Sequence, residues 1–350
     1  MSSDIADSDD GSPRPPTMAD IAAHLGVSRQ LVSLVMRDAP GASKETRRRV
    51  REAAEELGFR PHIGASSLRR ARSMDLGVVF APAHSTEPEI IEHIYPAAAA
   101  LGYNVILSAQ TATRSTNQAA EELLGHRCAA LIAIGPDHEI LRAVAQRSPV
   151  PVVGVGSGRR NPYYDFVRSE GDKGIAKAVT HLVELGHQQI VYVDPAAMPS
   201  AALRRRGYER TMSRLGLATD VLDMTGDYTK GDYFEEVGSA AARSLLQRGS
   251  LPTAVVAPND NTAVGLLQIL CRNGVRVPED VSITGFDDAP IARLSSVDLT
   301  TVRQDPELMG VAAVDAAVRR VKDTELKPGG TVVETSLVVR GSTAAPFEPR

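Results

Sequence analysis

The chain has no tryptophan and only 4% aromatic residues. It has two cysteines, Cys128 and Cys271, in 350 residues. So few exclude a disulfide-stapled scaffold. Both lie in apolar helical or strand context and are expected to be buried free thiols. No Cys/His cluster has metal-ligand spacing, so the histidines read as surface or core side chains. No metal or cofactor is expected. No apolar run reaches the ~18 residues that a membrane span needs. The opening MSSDIADSDDGSPRPP has no basic n-region and no apolar h-region, which argues against a secretory signal and for a cytoplasmic protein. G-x-S-x-G and P-loop motifs are absent, and no Ser/His/Asp set stands out, so nothing asks for an enzyme.

What is present is a chain of 43% hydrophobic residues with a mean hydropathy of −0.14. At ~100–200 residues per domain, its length fits two or three domains with substantial cores. The net charge of −4 is unevenly spread. Residues 17–73 hold eleven Lys/Arg against six Asp/Glu, a net +5. Residues 1–16 carry −3 and the rest of the chain −6. A basic module ahead of an acidic body is the charge pattern of a tethered DNA-binding head. Residues 1–16 read as a disordered tail.

The basic stretch divides into short helical patterns. Thr17 is placed to cap the first helix, with Asp20 as reciprocal partner. Ile21, Ala22 and Leu25 form its apolar stripe, and Gly26 ends it with a tight turn. Ser28 caps the next helix. Within it Val27, Leu31, Val32 and Val35 are expected to face the core, while Arg29, Gln30, Ser33 and Arg37 point elsewhere. Ser43 caps a third helix, whose Val50, Ala53, Ala54 and Leu57 follow the i, i+3, i+4, i+7 rule. This is a helix-turn-helix head. Residues 61–73 follow, in which Ala65, Ser66, Ser67 and Leu68 suit about one helical turn that forms only on a partner surface.

From Leu76 the texture becomes α/β. Strand-like runs fall at 76–80, 104–109, 130–134, 151–155, 189–193, 254–257, 281–286 and 331–339. Helical patterns fall between most of them, at 88–101, 116–125, 137–147, 172–185, 203–215, 232–248, 260–273 and 306–322. Alternating strand and helix implies parallel sheets, here two doubly wound subdomains with a cleft between them. Thr300–Asp305 reads as a crossing segment, followed by a helix and one last strand. Gly154-Val-Gly156-Ser-Gly158 follows a strand, but Pro162 blocks the helix start that a dinucleotide fingerprint needs, leaving a Gly-rich loop at a domain edge. Arg204 of Arg204-Arg205-Arg206 is placed to reach the crevice beyond the strand ends. Asn259-Asp260 and Asp287-Asp288 each follow a strand. Asp260 and Asp288 read as cap and turn formers, while Asn259 and Asp287 aim at the cleft, where amide and carboxylate suit sugar hydroxyls.

Together these residues resemble the lactose-repressor/galactose-repressor (LacI/GalR) family of bacterial transcription regulators. The resemblance runs from Thr17 to about Thr343. It rests on ADIAAHLGVSRQLVS, SKETRRRV and AAEELGFRP in the head. In the body it rests on HLVELGHQQIVYV, RRRGY, PNDNTAVG, VPEDVSITGFDD and LTTVRQD. It implies a homodimer whose heads read a near-palindromic DNA operator, with the helix after Ser28 in the major groove. It implies base contacts by Arg29, Gln30 and Ser33, and phosphate contacts by Thr17, Ser28, Ser43 and Thr46. Ala65 and Leu68 would belong to a hinge helix, with Leu68 wedged into the minor groove. A periplasmic-binding-protein-like body would hold a small-molecule effector, a sugar or sugar derivative, with Arg204, Tyr228, Asn259 and Asp287. Leu34, Arg37, Glu170-Gly171, Pro306 and the run after Phe80 depart from the family's usual residues.

The expected domains are a tail (1–16), a helix-turn-helix domain (17–60), a hinge helix (61–73), an effector-binding and dimerisation body (74–343) and a tail (344–350). Within the body, one subdomain takes 74–168 and 305–332, the other 169–302 and 333–343. The expected function is transcriptional repression under effector control. The alternative is a sugar-binding protein or enzyme on the same body. By linkage the effector weakens DNA binding only if it prefers the DNA-free arrangement, and the opposite sign is equally allowed.

Overall fold

The computed structural model describes residues 14, 16–59, 73–82, 86–156, 158–196, 198–224 and 233–346. Ala65, Leu68, Tyr228 and the expected hinge helix lie outside these residues. The chain divides into two compact units, one ending at Arg72 and the other starting at Ser73.

The described part of the first unit is a three-helix head. Its helices are α1 (Met18–Leu25), α2 (Arg29–Met36) and α3 (Lys44–Glu56). Their boundaries follow local chemistry. The Asp20 carboxylate accepts from both the backbone N and the hydroxyl of Thr17, each at 2.6 Å. Gly26 ends α1 at φ 65°, a left-handed conformation without Cβ strain in glycine. Ser28 and Ser43 cap α2 and α3 by accepting from Leu31 N and Thr46 N. Ile21, Val32, Val35, Val50, Ala53 and Ala54 close one small core. Leu31 is half-buried, beside that core and not in it.

The second unit contains two six-stranded sheets. The first sheet holds β1 (Asp75–Phe80), β2 (Asn104–Ala109), β3 (Ala130–Ile134), β4 (Val152–Val155), β5 (Asp165–Ser169) and β11 (Gly330–Val333), in the order β11-β5-β4-β3-β1-β2. All its pairings are parallel. Helices α4 (Glu87–Ala100) and α11 (Pro306–Lys322) cover one face, and α5 (Thr116–Gly125) and α6 (His138–Arg147) the other. The second sheet holds β6 (Ile190–Pro195), β7 (Asp220–Met224), β8 (Ala254–Val256), β9 (Ser282–Asp287), β10 (Thr300–Arg303) and β12 (Ser336–Val338), in the order β12-β10-β9-β8-β6-β7. Only β10/β12 is antiparallel. Helices α7 (Gly171–Glu184) and α8 (Ala201–Arg214) lie on one face, α9 (Tyr233–Leu246) and α10 (Asp260–Arg272) on the other.

The chain passes between the sheets three times, after β5, after β10 and after β11. Glu170 ties two of these crossings together. Its backbone N donates to Val333 O at 3.0 Å, and its buried carboxylate accepts from Thr335 N and from Lys173 and Lys177.

Four sequence expectations change. The run 331–339 is two strands in different sheets, broken at Glu334-Thr335. Thr300–Arg303 is itself a strand; Thr300 and Thr301 are fully buried because Arg340 O and Asp260 accept their hydroxyls. Strands β5 and β7 carry too many polar residues to show in the pattern. Cys128 is buried, and burial pushes its thiol up to about 11, but Cys271 is exposed on α10.

Candidate nucleic-acid interface and ligand cleft

In the head, Val32 and Val35 turn one face of α2 to the core. That leaves Arg29 and Gln30 exposed on its first turn and Ser33 half-buried. Among the described residues Arg29 and Gln30 have no hydrogen-bond or ion-pair partner. They are a guanidinium and an amide presented from a helix whose start Ser28 fixes. Thr17, Ser28, Ser43 and Thr46 all serve as caps or cap partners, and Thr46 Oγ1 lies 2.8 Å from Ser43 Oγ. Arg37 Nε bonds back to Ser33 O at 3.0 Å, and Leu34 is half-buried next to Gly41. On α3, Arg48 is engaged by Glu45 and Glu52, while Arg47 and Arg51 reach Asp38.

In the body, the carboxyl ends of both sheets face a cleft of about 710 Å³ that opens to solvent. Arg204 projects into it from the first turn of α8. Arg204, 5% exposed, donates to Pro258 O and, at 3.4 Å, to Asp287 Oδ1. Its guanidinium carbon sits 3.7 Å above the centre of the Phe286 ring. The neighbouring arginines meet other fates. Arg205 pairs with Asp194, Asp223 and Glu209, and Arg206 is exposed. Asp287 has φ 118°, and its Oδ1 also accepts from Gln304 Nε2 at 2.6 Å.

The expected capping role of Asp260 is corrected. Asn259 is the α10 cap, accepting from Thr262 N at 2.9 Å, and it lines the cleft as well. Asp260 is fully buried behind it and accepts from Thr301 Oγ1 at 2.5 Å and Ala289 N at 2.7 Å. It thereby anchors the turn that presents Asp287. Burial first, and the Asp287 carboxylate next, raise the Asp260 carboxyl well above its usual range. A side chain at Gly285 would place Cβ 2.2 Å from Asp260 Oδ1, so glycine is required there. Asp288 turns away from the cleft and pairs with Arg340 and Arg293.

The structure brings Arg204, Asn259 and Asp287 together. Glu87, Ser200, Phe234, Asn261 and Gln304 join them in the lining and were missed in the sequence. Glu87 is buried at the start of α4 and accepts from Ala81 N at 2.6 Å. Each follows a strand or opens a helix, and that placement was the available signal. Pro306 opens α11 beside Asp305, whose carboxylate accepts from Leu308 N.

Residues 17–62 match the model of the bacterial regulatory proteins of the lacI family, and residues 179–343 match a periplasmic binding protein-like domain. The lactose operon repressor of Escherichia coli K12 is 30% identical over 339 residues, covering 95% of this chain and 92% of that protein. The chain belongs to the lacI family. A Lac repressor dimer bound to operator and the anti-inducer ONPF superimposes with a TM-score of 0.81 at 29% identity, covering 95% of this chain and all of that one. A complex of the regulator CelR with cellobiose gives 0.68 at 28% identity, covering 93% and 99%. Among the described residues of this family member, no helix is long and apolar enough to cross a membrane.

Proposed function

We propose that the chain is a cytoplasmic, homodimeric repressor that binds a near-palindromic operator and is controlled by a sugar or sugar derivative held in the cleft. Arg29, Gln30 and Ser33 read bases: a guanidinium suits guanine and an amide suits adenine. Thr17, Ser28, Ser43 and Thr46 contact phosphates at helix starts, where backbone N–H groups favour anions. Leu68 and Ala65 contribute the minor-groove contact. Arg204, Asn259, Asp287 and Tyr228 hold the effector. It draws the two subdomains together around the three crossings and so changes the spacing of the heads across the dimer.

The observation that carries this reading is the exposed Arg29-Gln30 pair on a capped second helix, without a partner among the described residues, in one chain with a cleft at the carboxyl ends of two sheets. Random-sequence DNA selection with the full chain, followed by binding titrations with and without a sugar panel, tests it. A two-fold-symmetric consensus whose affinity one sugar changes is the expected result. Equal binding to every sequence would refute it. Turnover of a sugar without specific DNA binding would favour the enzyme alternative.

A further inference from the structure

We infer that the cleft selects an uncharged, hydroxyl-rich ligand and rejects its phosphorylated or carboxylated counterpart. This rests on the reading of the cleft as the effector site. Among the described lining residues there are two carboxylates, Glu87 and Asp287, and one guanidinium, Arg204. The carboxylates belong to opposite walls, Glu87 to α4 of the first subdomain and Asp287 to the end of β9 of the second.

An anion site needs cationic donors whose charge is available to the ligand. Arg204 is neutralised at its place: one nitrogen donates to Asp287, another to Pro258 O, and its face lies on Phe286. Any anion brought to Arg204 also meets Asp287. Its remaining N–H groups suit the oxygen of a neutral hydroxyl, which brings no charge.

Helix starts would ordinarily favour an anion in such a cleft. Here the protein's own side chains occupy that role. Glu87 stands in the first turn of α4, and Asn259 closes the start of α10 by accepting from Thr262 N. The amides of Asn259 and Gln304 add groups that donate to and accept from hydroxyls equally well.

The test uses the full chain in calorimetric titration and thermal shift. The neutral probes are ribose, galactose, maltose and cellobiose. The anionic probes are ribose 5-phosphate, glucose 6-phosphate, galacturonate and inorganic phosphate. We expect at least one neutral probe to bind and the anionic probes to bind on the order of 100-fold more weakly. Asp287→Asn, and separately Glu87→Gln, should make inorganic phosphate protective where it is not in the wild type. An anionic probe binding as tightly as the best neutral one overturns the inference while leaving the effector reading intact. Neutral binding with no gain of phosphate protection in either variant overturns the assignment of exclusion to these carboxylates. Binding by no probe of either class, with specific DNA binding preserved, overturns the effector reading and the inference with it.

Discussion

Arg293 and Glu89 form an ion pair between the two subdomains. Arg293 ends the short helix Pro290–Arg293 after β9, and Glu89 lies on α4 two residues beyond the cleft-lining Glu87. The pair is two-pronged, with N···O distances of 3.2 and 3.4 Å. Its energy is available only while the subdomains are close, so breaking it acts on the closing equilibrium. At this separation two unit charges interact by about 1 kcal/mol in water and about 5 at an effective dielectric of 20. Arg293 is 43% exposed, so screening reduces the net value to about 1 kcal/mol. That predicts ligand binding about five-fold weaker in Glu89→Gln. Arg293→Gln should lose about as much, because its other partner, the buried Asp288 at 3.6 Å, lies in the same subdomain and stays with it whether the cleft is open or closed. The assay is calorimetric titration of the best neutral sugar against wild type, both single variants and the double variant. The double variant should lose less than the sum of the singles, and the difference should shrink in high salt. Unchanged affinity in Glu89→Gln, or strict additivity, would refute the coupling.

Other outcomes follow from the same geometry. Arg29→Ala should cost ~1–3 kcal/mol at one operator position and relax the base preference there, as read by binding to single-base operator variants; a uniform loss on all sequences would make Arg29 a phosphate contact. Asp260→Ala leaves a buried N–H and hydroxyl unpaired and should cost the body about 2–4 kcal/mol in urea unfolding, with a smaller loss for Asp260→Asn. A loss under about 1 kcal/mol would mean that Asp260 does not hold the Asp287 turn. Burial lowers the pKa values of His138, His181 and His187. The unfolded chain, titrating near ~6.5, then takes up more protons than the folded one, so this stability is complete above that pH and is lost as pH falls toward the folded values. The raised Asp260 carboxyl acts in the opposite direction. The melting temperature of His187→Asn should therefore fall less between about pH 7 and 5 than that of the wild type; an equal fall would remove His187 from the account.

Much of the fold was legible because it rests on local chemistry. Gly26, Ser28 and Ser43 mark the helix boundaries through backbone conformation and cap bonds that depend on a few adjacent residues. Apolar runs such as Ala130–Ile134 are strands because both faces are covered by helices. Thr300–Arg303 was not legible, since its threonines look like loop residues until partners from the chain's end and from Asp260 satisfy them. Nor was the break at Glu334-Thr335, where one β-prone run enters two sheets.

The sequence by itself determined the basic head, the capped helices, the alternating body and the candidacy of Arg204, Asn259 and Asp287, because composition, periodicity and turn chemistry are properties of neighbours along the chain. Only the tertiary structure decided that Asn259 caps α10 while Asp260 is buried, that Arg204 is neutralised by Asp287, and that Glu87 and Gln304 share their cleft. Those outcomes depend on which distant groups meet a side chain once it has left water, and a desolvated charge or amide is governed by its partners in space.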